Sequence, residues 1–263
     1  LSKVDTLTAM PIAINIAFST ALVPAISSSL AQKDYETASK RMTFSMFASL
    51  LIIIPCACGF IALAQPILNL IYPTASDGAS LLILCSISMI LVALNQTITG
   101  GLYGISKNYI PAIAVLISVF IKLWLNIVLI SNPDIGINGS GISSIVAQTI
   151  VFIICIIVLN KNIKLNFKFG RMILGPIIAG ILMGIAVYFA NQWMNTIMGQ
   201  SLSTIISIIL GAIIYVLIIF ILRILKKEDI LMIPFGIKIY PILVKLKIYR
   251  EIEDEYKPKH MKD

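Results

Sequence analysis

Charge is scarce in this chain. Only 12% of its 263 residues are Asp, Glu, Lys or Arg, and 59% are hydrophobic; soluble domains average about 25% charged and 45–50% apolar. So much apolar surface has no polar cover, which excludes a water-soluble globular enzyme. Disorder is excluded as well, because its compositional requirement is low hydrophobicity. One histidine and four cysteines are too few for a disulfide framework or a His/Cys metal centre, so neither a metal nor a cofactor is expected. The net charge is nevertheless +8, which in a soluble protein points to nucleic acid. Where that charge lies decides its meaning.

What the chain does have is long apolar runs. A bilayer core of about 30 Å needs roughly 20 mostly apolar residues per helix. Seven stretches qualify: residues 6–30, 42–65, 79–104, 109–131, 139–160, 171–190 and 202–222. Barrel strands would be about 10 residues long and strictly alternating. Runs such as Leu50 to Pro55 and Ile213 to Ile221 do not alternate. The expected fold class is therefore an all-α polytopic membrane protein with seven transmembrane helices.

The charges sort onto this frame. Lys33, Lys40, Arg41, Lys107, Lys161, Lys164, Lys168, Arg171 and the tail from Arg223 to Lys262 all fall on one side. On the other side only Lys3 is basic, and Lys122 alone lies well inside a span. Basic loops stay cytoplasmic, which places the C-terminus inside and Leu1 outside. The excess charge is thus an orientation signal, and no nucleic-acid partner is expected. An odd number of helices beginning abruptly at the outer face is expected of a chain whose N-terminal portion is absent. Residues 228–250 mix apolar and basic side chains as an interfacial segment on an anionic leaflet would.

Inside the membrane, polar side chains are costly and normally face a bundle interior or cavity. Steps of three, four and seven place residues on one helix face. Thr8, Asn15 and Ser19 form such a stripe, as do Cys85, Ser88, Asn95 and Thr99 with Gln96 alongside. Ser118, Lys122 and Asn126 form a third, and Ser140, Ser144 and Gln148 a fourth. The simplest packing turns all four towards one hydrated interior; the alternative is interhelical hydrogen bonding, worth about 0.6 kcal/mol per contact. The second, sixth and seventh spans carry few polar groups and are expected at the lipid-facing periphery. Lys122 lies about 20 Å along its helix from Tyr109 at 1.5 Å per residue and is the candidate fixed cation for an anionic substrate group. None of the twelve Asp and Glu residues lies in an expected span, which disfavours a cation-binding or proton-relay carboxylate in this stretch.

Three segments are distinctive together. One is Ala21 to Ser27 (ALVPAIS) followed by Ala31, Asp34-Tyr35-Glu36 and Lys40-Arg41; another is Gly101 to Lys107 (GLYGISK) followed by Ile110-Pro111-Ala112. The third is Ile121 to Asn126 (IKLWLN), leading to Gly136 to Gly139 (GING), with Lys227 to Ile230 and Ile233-Pro234 after the last span. In this combination the chain resembles the polysaccharide-biosynthesis flippases typified by stage V sporulation protein B. Their superfamily also holds lipid II flippases and multidrug and toxin extruders. The resemblance implies a fourteen-helix, two-lobe transporter of which these seven helices correspond to helices 8–14. Residues 1–160 would be an incomplete C-terminal lobe of five helices, 161–222 two accessory helices, and 223–263 a basic cytoplasmic interfacial tail.

By the same resemblance the expected activity is alternating-access export of lipid-linked saccharide precursors for the cell wall or spore cortex across the bacterial plasma membrane. The expected partners are membrane lipid, that lipid-linked saccharide, and the N-terminal lobe of the same transporter. Lys122 would meet the anionic head, and Asn15, Asn95, Gln96, Ser118, Asn126 and Gln148 would offer hydrogen bonds to it. Pro11, Pro24, Pro55 and Pro111 lie in or at the ends of spans, where helices bend. A Na⁺- or H⁺-coupled multidrug exporter is the alternative, and it needs a membrane carboxylate elsewhere. A membrane polysaccharide polymerase would need positioned acids, bases or nucleophiles, which the spans lack; a non-transporting scaffold is the remaining reading.

Overall fold

The computed structural model describes residues 2–73, 76–165, 170–222 and 224–225, and the regular elements among them are all helical. They are α1 (Ser2–Ala31), α2 (Tyr35–Ala62), α3 (Ala64–Ile71), α4 (Ala79–Gly104), α5 (Tyr109–Ile130), α6 (Asn138–Asn162), α7 (Gly175–Met198) and α8 (Gln200–Ile221). A π-helical turn, Gly170–Leu174, leads into α7. Among the described residues, six helices are long and apolar enough to cross a membrane: α2, α4, α5, α6, α7 with its leading turn, and α8. The first expected span is α1, whose 30 residues reach about 45 Å at 1.5 Å per residue. The interfacial segment expected at 228–250 lies outside the described residues.

Local chemistry sets the helix ends. Asp34 starts α2 at Tyr35, earlier than the apolar run at 42, because its Oδ1 accepts the Thr37 backbone N–H at 3.0 Å and so satisfies one orphan donor of the first turn. The Thr37 hydrogen bonds hold the Asp34 carboxyl below the ordinary carboxylate range. Pro176 sits in the first turn of α7, where a missing N–H costs nothing. Gly199, at φ +79°, makes the sharp turn between α7 and α8.

The helices pack in a definite order. α4 lies against α1, α2 and α6; α5 is held almost entirely by α6; α7 joins α2 to α8. The outer faces of α7 and α8 expose Ile181, Phe189, Ile209 and Leu217, in keeping with their expected place at the periphery. The second span is a correction. Instead of lying at the periphery, α2 is the most enclosed span, with 56% of its most apolar stretch buried against 11% for α5. Its small residues Ala38, Ser39, Ser45, Ser49 and Ala57 are buried and let α1, α4 and α7 approach. In a membrane small side chains mark helix contacts better than polarity does, because lipid tails are as apolar as a protein core.

Candidate functional site

The polar stripes meet in pairs. Asn15 is fully buried, and its Nδ2 donates to the Ala93 carbonyl and to Gln96 Oε1, both at 3.0 Å. One turn further along α1, Ser19 Oγ lies 2.9 Å from Thr97 Oγ1, which is also 2.7 Å from Ser49 Oγ of α2. Thr97 Oγ1 also lies 3.1 Å from the Ala93 carbonyl of its own helix, to which it can donate. Three helices are thereby tied at one depth. The next seam is α4 to α6, where Asn95 Nδ2 donates to Gln148 Oε1 at 2.8 Å and to the Gln148 carbonyl at 3.0 Å. The third is α5 to α6, where Ser143 Oγ donates to Asn126 Oδ1.

Of the seven candidate side chains, Asn15 is thus joined to Gln96, and Asn95 to Gln148. Asn126 binds Ser143, which the Ser140, Ser144, Gln148 stripe leaves out although it lies three residues from Ser140. Ser118 donates to the Val115 carbonyl of its own helix at 2.8 Å. Lys122 is half-buried, one turn from both Ser118 and Asn126 on α5. It has no hydrogen bond or ion pair with any described residue. Two amide oxygens, Asn15 Oδ1 and Asn95 Oδ1, are buried without a partner among the described residues.

The seams are individually weak, and their strength is measurable. A double-mutant cycle on Asn95→Ala and Gln148→Ala, read by thermal unfolding in detergent, is expected to give a coupling of about 0.6 kcal/mol and not above about 1.7 kcal/mol.

The candidate hinge prolines divide into two kinds. Pro11, Pro24 and Pro55 lie inside helices, where each removes an i→i−4 hydrogen bond. Pro111 falls in the first turn of α5, where proline is accommodated without a bend.

A second feature was not foreseen. An apolar groove of about 540 Å³ runs between α2, α7 and α8, with Leu51, Pro55, Phe60, Met183, Val187 and Tyr215 among its walls and Pro11 of α1 and Ile67 of α3 also lining it. Its α8 wall extends from Ser207 to Phe220, about 20 Å at 1.5 Å per residue. Tyr215 is 5% exposed, and its hydroxyl has no hydrogen-bond partner among the described residues. Arg171 reaches the end of α8, donating Nε–H to the Ile224 carbonyl at 2.9 Å with its guanidinium 5.8 Å from the Phe47 ring centre. The one signal for this site in the sequence is a tyrosine in an otherwise Ile- and Leu-rich helix.

Comparison with known proteins places this arrangement. Residues 4–210 match the family model described as lipid II flippase MurJ. The chain belongs to the MurJ family. Among curated MurJ-family relatives, lipid II flippase MurJ of Bacillus subtilis (strain 168) is 28% identical over 199 residues, covering 73% of this chain and 36% of that protein. Stage V sporulation protein B of the same organism is 23% identical over 230 residues, covering 87% of this chain and 44% of that protein. The chain therefore spans between a third and a half of the length of these relatives. The fold is shared with a solved structure of lipid II flippase MurJ in an inward closed conformation, at a TM-score of 0.62 and 18% identity, over 82% of this chain and 46% of that one.

Proposed function

We propose that this chain works as one part of a flippase that carries lipid-linked saccharide precursors, of the kind lipid II represents, across the bacterial plasma membrane. The observation that carries this reading is the MurJ family match across residues 4–210, which takes in all the helices that bear polar seams. In this reading α1 to α6 act with an N-terminal lobe of the same transporter, while α7 and α8 form an accessory pair. In the same reading the basic loops and the C-terminus lie in the cytoplasm, which the distribution of Lys and Arg supports.

The chemistry of such a substrate suits what the helices offer. A diphosphate-linked sugar has an anionic head, many hydroxyls and a long apolar tail. Lys122 supplies the cation, and the Ser118 and Asn126 side chains flank it on the same face of α5. The amides of Asn15, Asn95, Gln96 and Gln148 lie at the helix seams. Alternating access would rearrange those seams, each of which costs little to break. Transport by rearrangement of packed helices needs no covalent chemistry, so no catalytic residue is assigned.

The test is complementation. A bacterial strain depleted of its own lipid-precursor flippases is expected to grow when it expresses the complete transporter carrying this chain. Lysis on depletion despite normal membrane expression would overturn the proposal.

A further inference from the structure

Two prolines that lie inside helices border one space. Pro11 of α1 and Pro55 of α2 both line the apolar groove, whereas Pro24 is exposed and is not among its walls. Each proline removes an i→i−4 hydrogen bond, so the carbonyls of Leu7 and Leu51 lose their helical donor. Both helices are therefore weakened beside the same opening. Gly59, one turn beyond Pro55, lines it too, and a Cβ there would meet nothing within 4 Å.

On one side of the prolines the helices are fastened. Asn15 lies about 6 Å along α1 from Pro11, and Ser49 about 9 Å along α2 from Pro55, at 1.5 Å per residue. Asn15 bonds to Gln96 of α4, and Ser19 and Ser49 both meet Thr97 of the same helix. On the other side the chain forms one block. Lys3 Nζ lies 5.3 Å from the ring centre of Tyr72, just past α3. Val4 and Leu7 of α1 share a buried cluster with Ala64, Ile67 and Leu68 of α3. Leu81 and Leu82 of α4 complete that cluster with apolar side chains alone.

We infer that Pro11 and Pro55 form a paired hinge. Residues 2–10 of α1, residues 56–62 of α2 and the whole of α3 swing as one cap about the polar node on α4. Bending at one proline alone would pull Lys3 from Tyr72 and split the shared cluster, whereas bending at both keeps the block whole. A few helix residues suffice to absorb such a motion. The groove supplies the room, and narrowing an apolar space breaks no hydrogen bond. The cap lies at the end of the bundle away from the basic loops, so its swing opens and narrows the outer mouth of the substrate path. That role rests on the flippase reading and its orientation.

The test uses the complete transporter in nanodiscs, cysteine-free except for spin labels at Ile71→Cys on the cap and Ile137→Cys at the start of α6, both exposed positions. Pulsed electron double resonance is expected to give two label separations with the native prolines. Replacing both, Pro11→Ala with Pro55→Ala, restores the two hydrogen bonds. It is expected to leave one separation, raise the melting temperature and lose complementation. Prolines with only a structural role would move melting temperature and transport in the same direction. Pro24→Ala is expected to keep both separations. Gly59→Trp, which fills the groove, is expected to leave one separation at the wild-type melting temperature. A single separation in the wild type would overturn the inference. So would two that persist when both prolines are replaced or, should that variant misfold, in Gly59→Trp. Full complementation by the double variant would overturn it as well. The separations are read without transport, so a wild type that fails to complement would remove the flippase reading and the cap's role at the mouth, and leave the hinge itself standing.

Discussion

Lys122→Gln is expected to lower precursor flipping by about 10- to 100-fold, the worth of a hydrogen bond to a charged group at 1.5–3 kcal/mol, with Lys122→Arg keeping most of the activity. Glutamine retains the length and hydrogen-bonding capacity of the side chain, so the comparison isolates charge. A buried cation costs about 2.5–3.5 kcal/mol at a helix centre, and Lys122 has no anionic partner among the described residues to offset that. Its removal is therefore expected to leave insertion and melting temperature unchanged or slightly improved. That separation distinguishes a substrate-binding cation from a structural one. A lysine that merely snorkels along its stem to the outer interface would be replaceable by glutamine without loss of transport. Growth of a flippase-depleted strain on the Gln variant at the wild-type rate would remove Lys122 from the mechanism while leaving the family assignment intact.

Gly139→Val is expected to destabilise the protein by about 3 kcal/mol, the upper part of the range for overpacking a close-packed site. A Cβ at Gly139 would meet Leu129 Cβ at 2.7 Å, the Leu129 backbone carbon at 2.9 Å and the Ile130 nitrogen at 3.1 Å. Backbone atoms cannot step aside as the end of a flexible side chain can, so α5 has to move. α5 is held almost entirely by α6, and the displacement is expected to break the Ser143–Asn126 hydrogen bond close by. A disulfide cross-link engineered between Asn126→Cys and Ser143→Cys in an otherwise cysteine-free protein reads this directly. It is expected to form readily on the wild-type background and poorly when Gly139→Val is added. By contrast Gly101, where the nearest atom is the Met42 sulfur at 2.6 Å, faces a flexible neighbour, and Gly101→Ala is expected to cost much less. Equal melting temperatures for the two glycine variants would refute the distinction.

These two positions show how differently function and packing are written in such a chain. Lys122 stands out by composition alone, since a charge at membrane depth has few bland explanations. Gly139 stands out only as the end of the GING segment, with nothing to mark it as a packing residue. Its importance comes from a neighbour on another helix, and no periodicity in its own segment announces that neighbour. Ser143 is the same case among polar residues: nothing in its spacing from Ser140 or Ser144 says that it, and not they, reaches Asn126. The stripes themselves were legible, but their partners were not. Asn15 and Asn95 each find an amide on another helix, and helical spacing says only that a face is polar, never what it faces. The groove beside Tyr215 was hidden for the same reason, because its lining is drawn from five helices and belongs to no one of them.

What the amino-acid order determines by itself is which apolar stretches are helices long enough to cross a membrane, and it supplies an expectation of their direction. Hydrocarbon cannot satisfy a backbone, so each apolar run of sufficient length has to close its own hydrogen bonds as a helix, and the lysines and arginines that cannot cross mark the retained side. The central position of α2, the exposed edge position of α5, the pairing of the polar seams and the groove against α7 and α8 were decided only in the tertiary structure. A lipid-facing leucine and a buried one are chemically alike in a bilayer, and only close contact between small residues on different helices separates them.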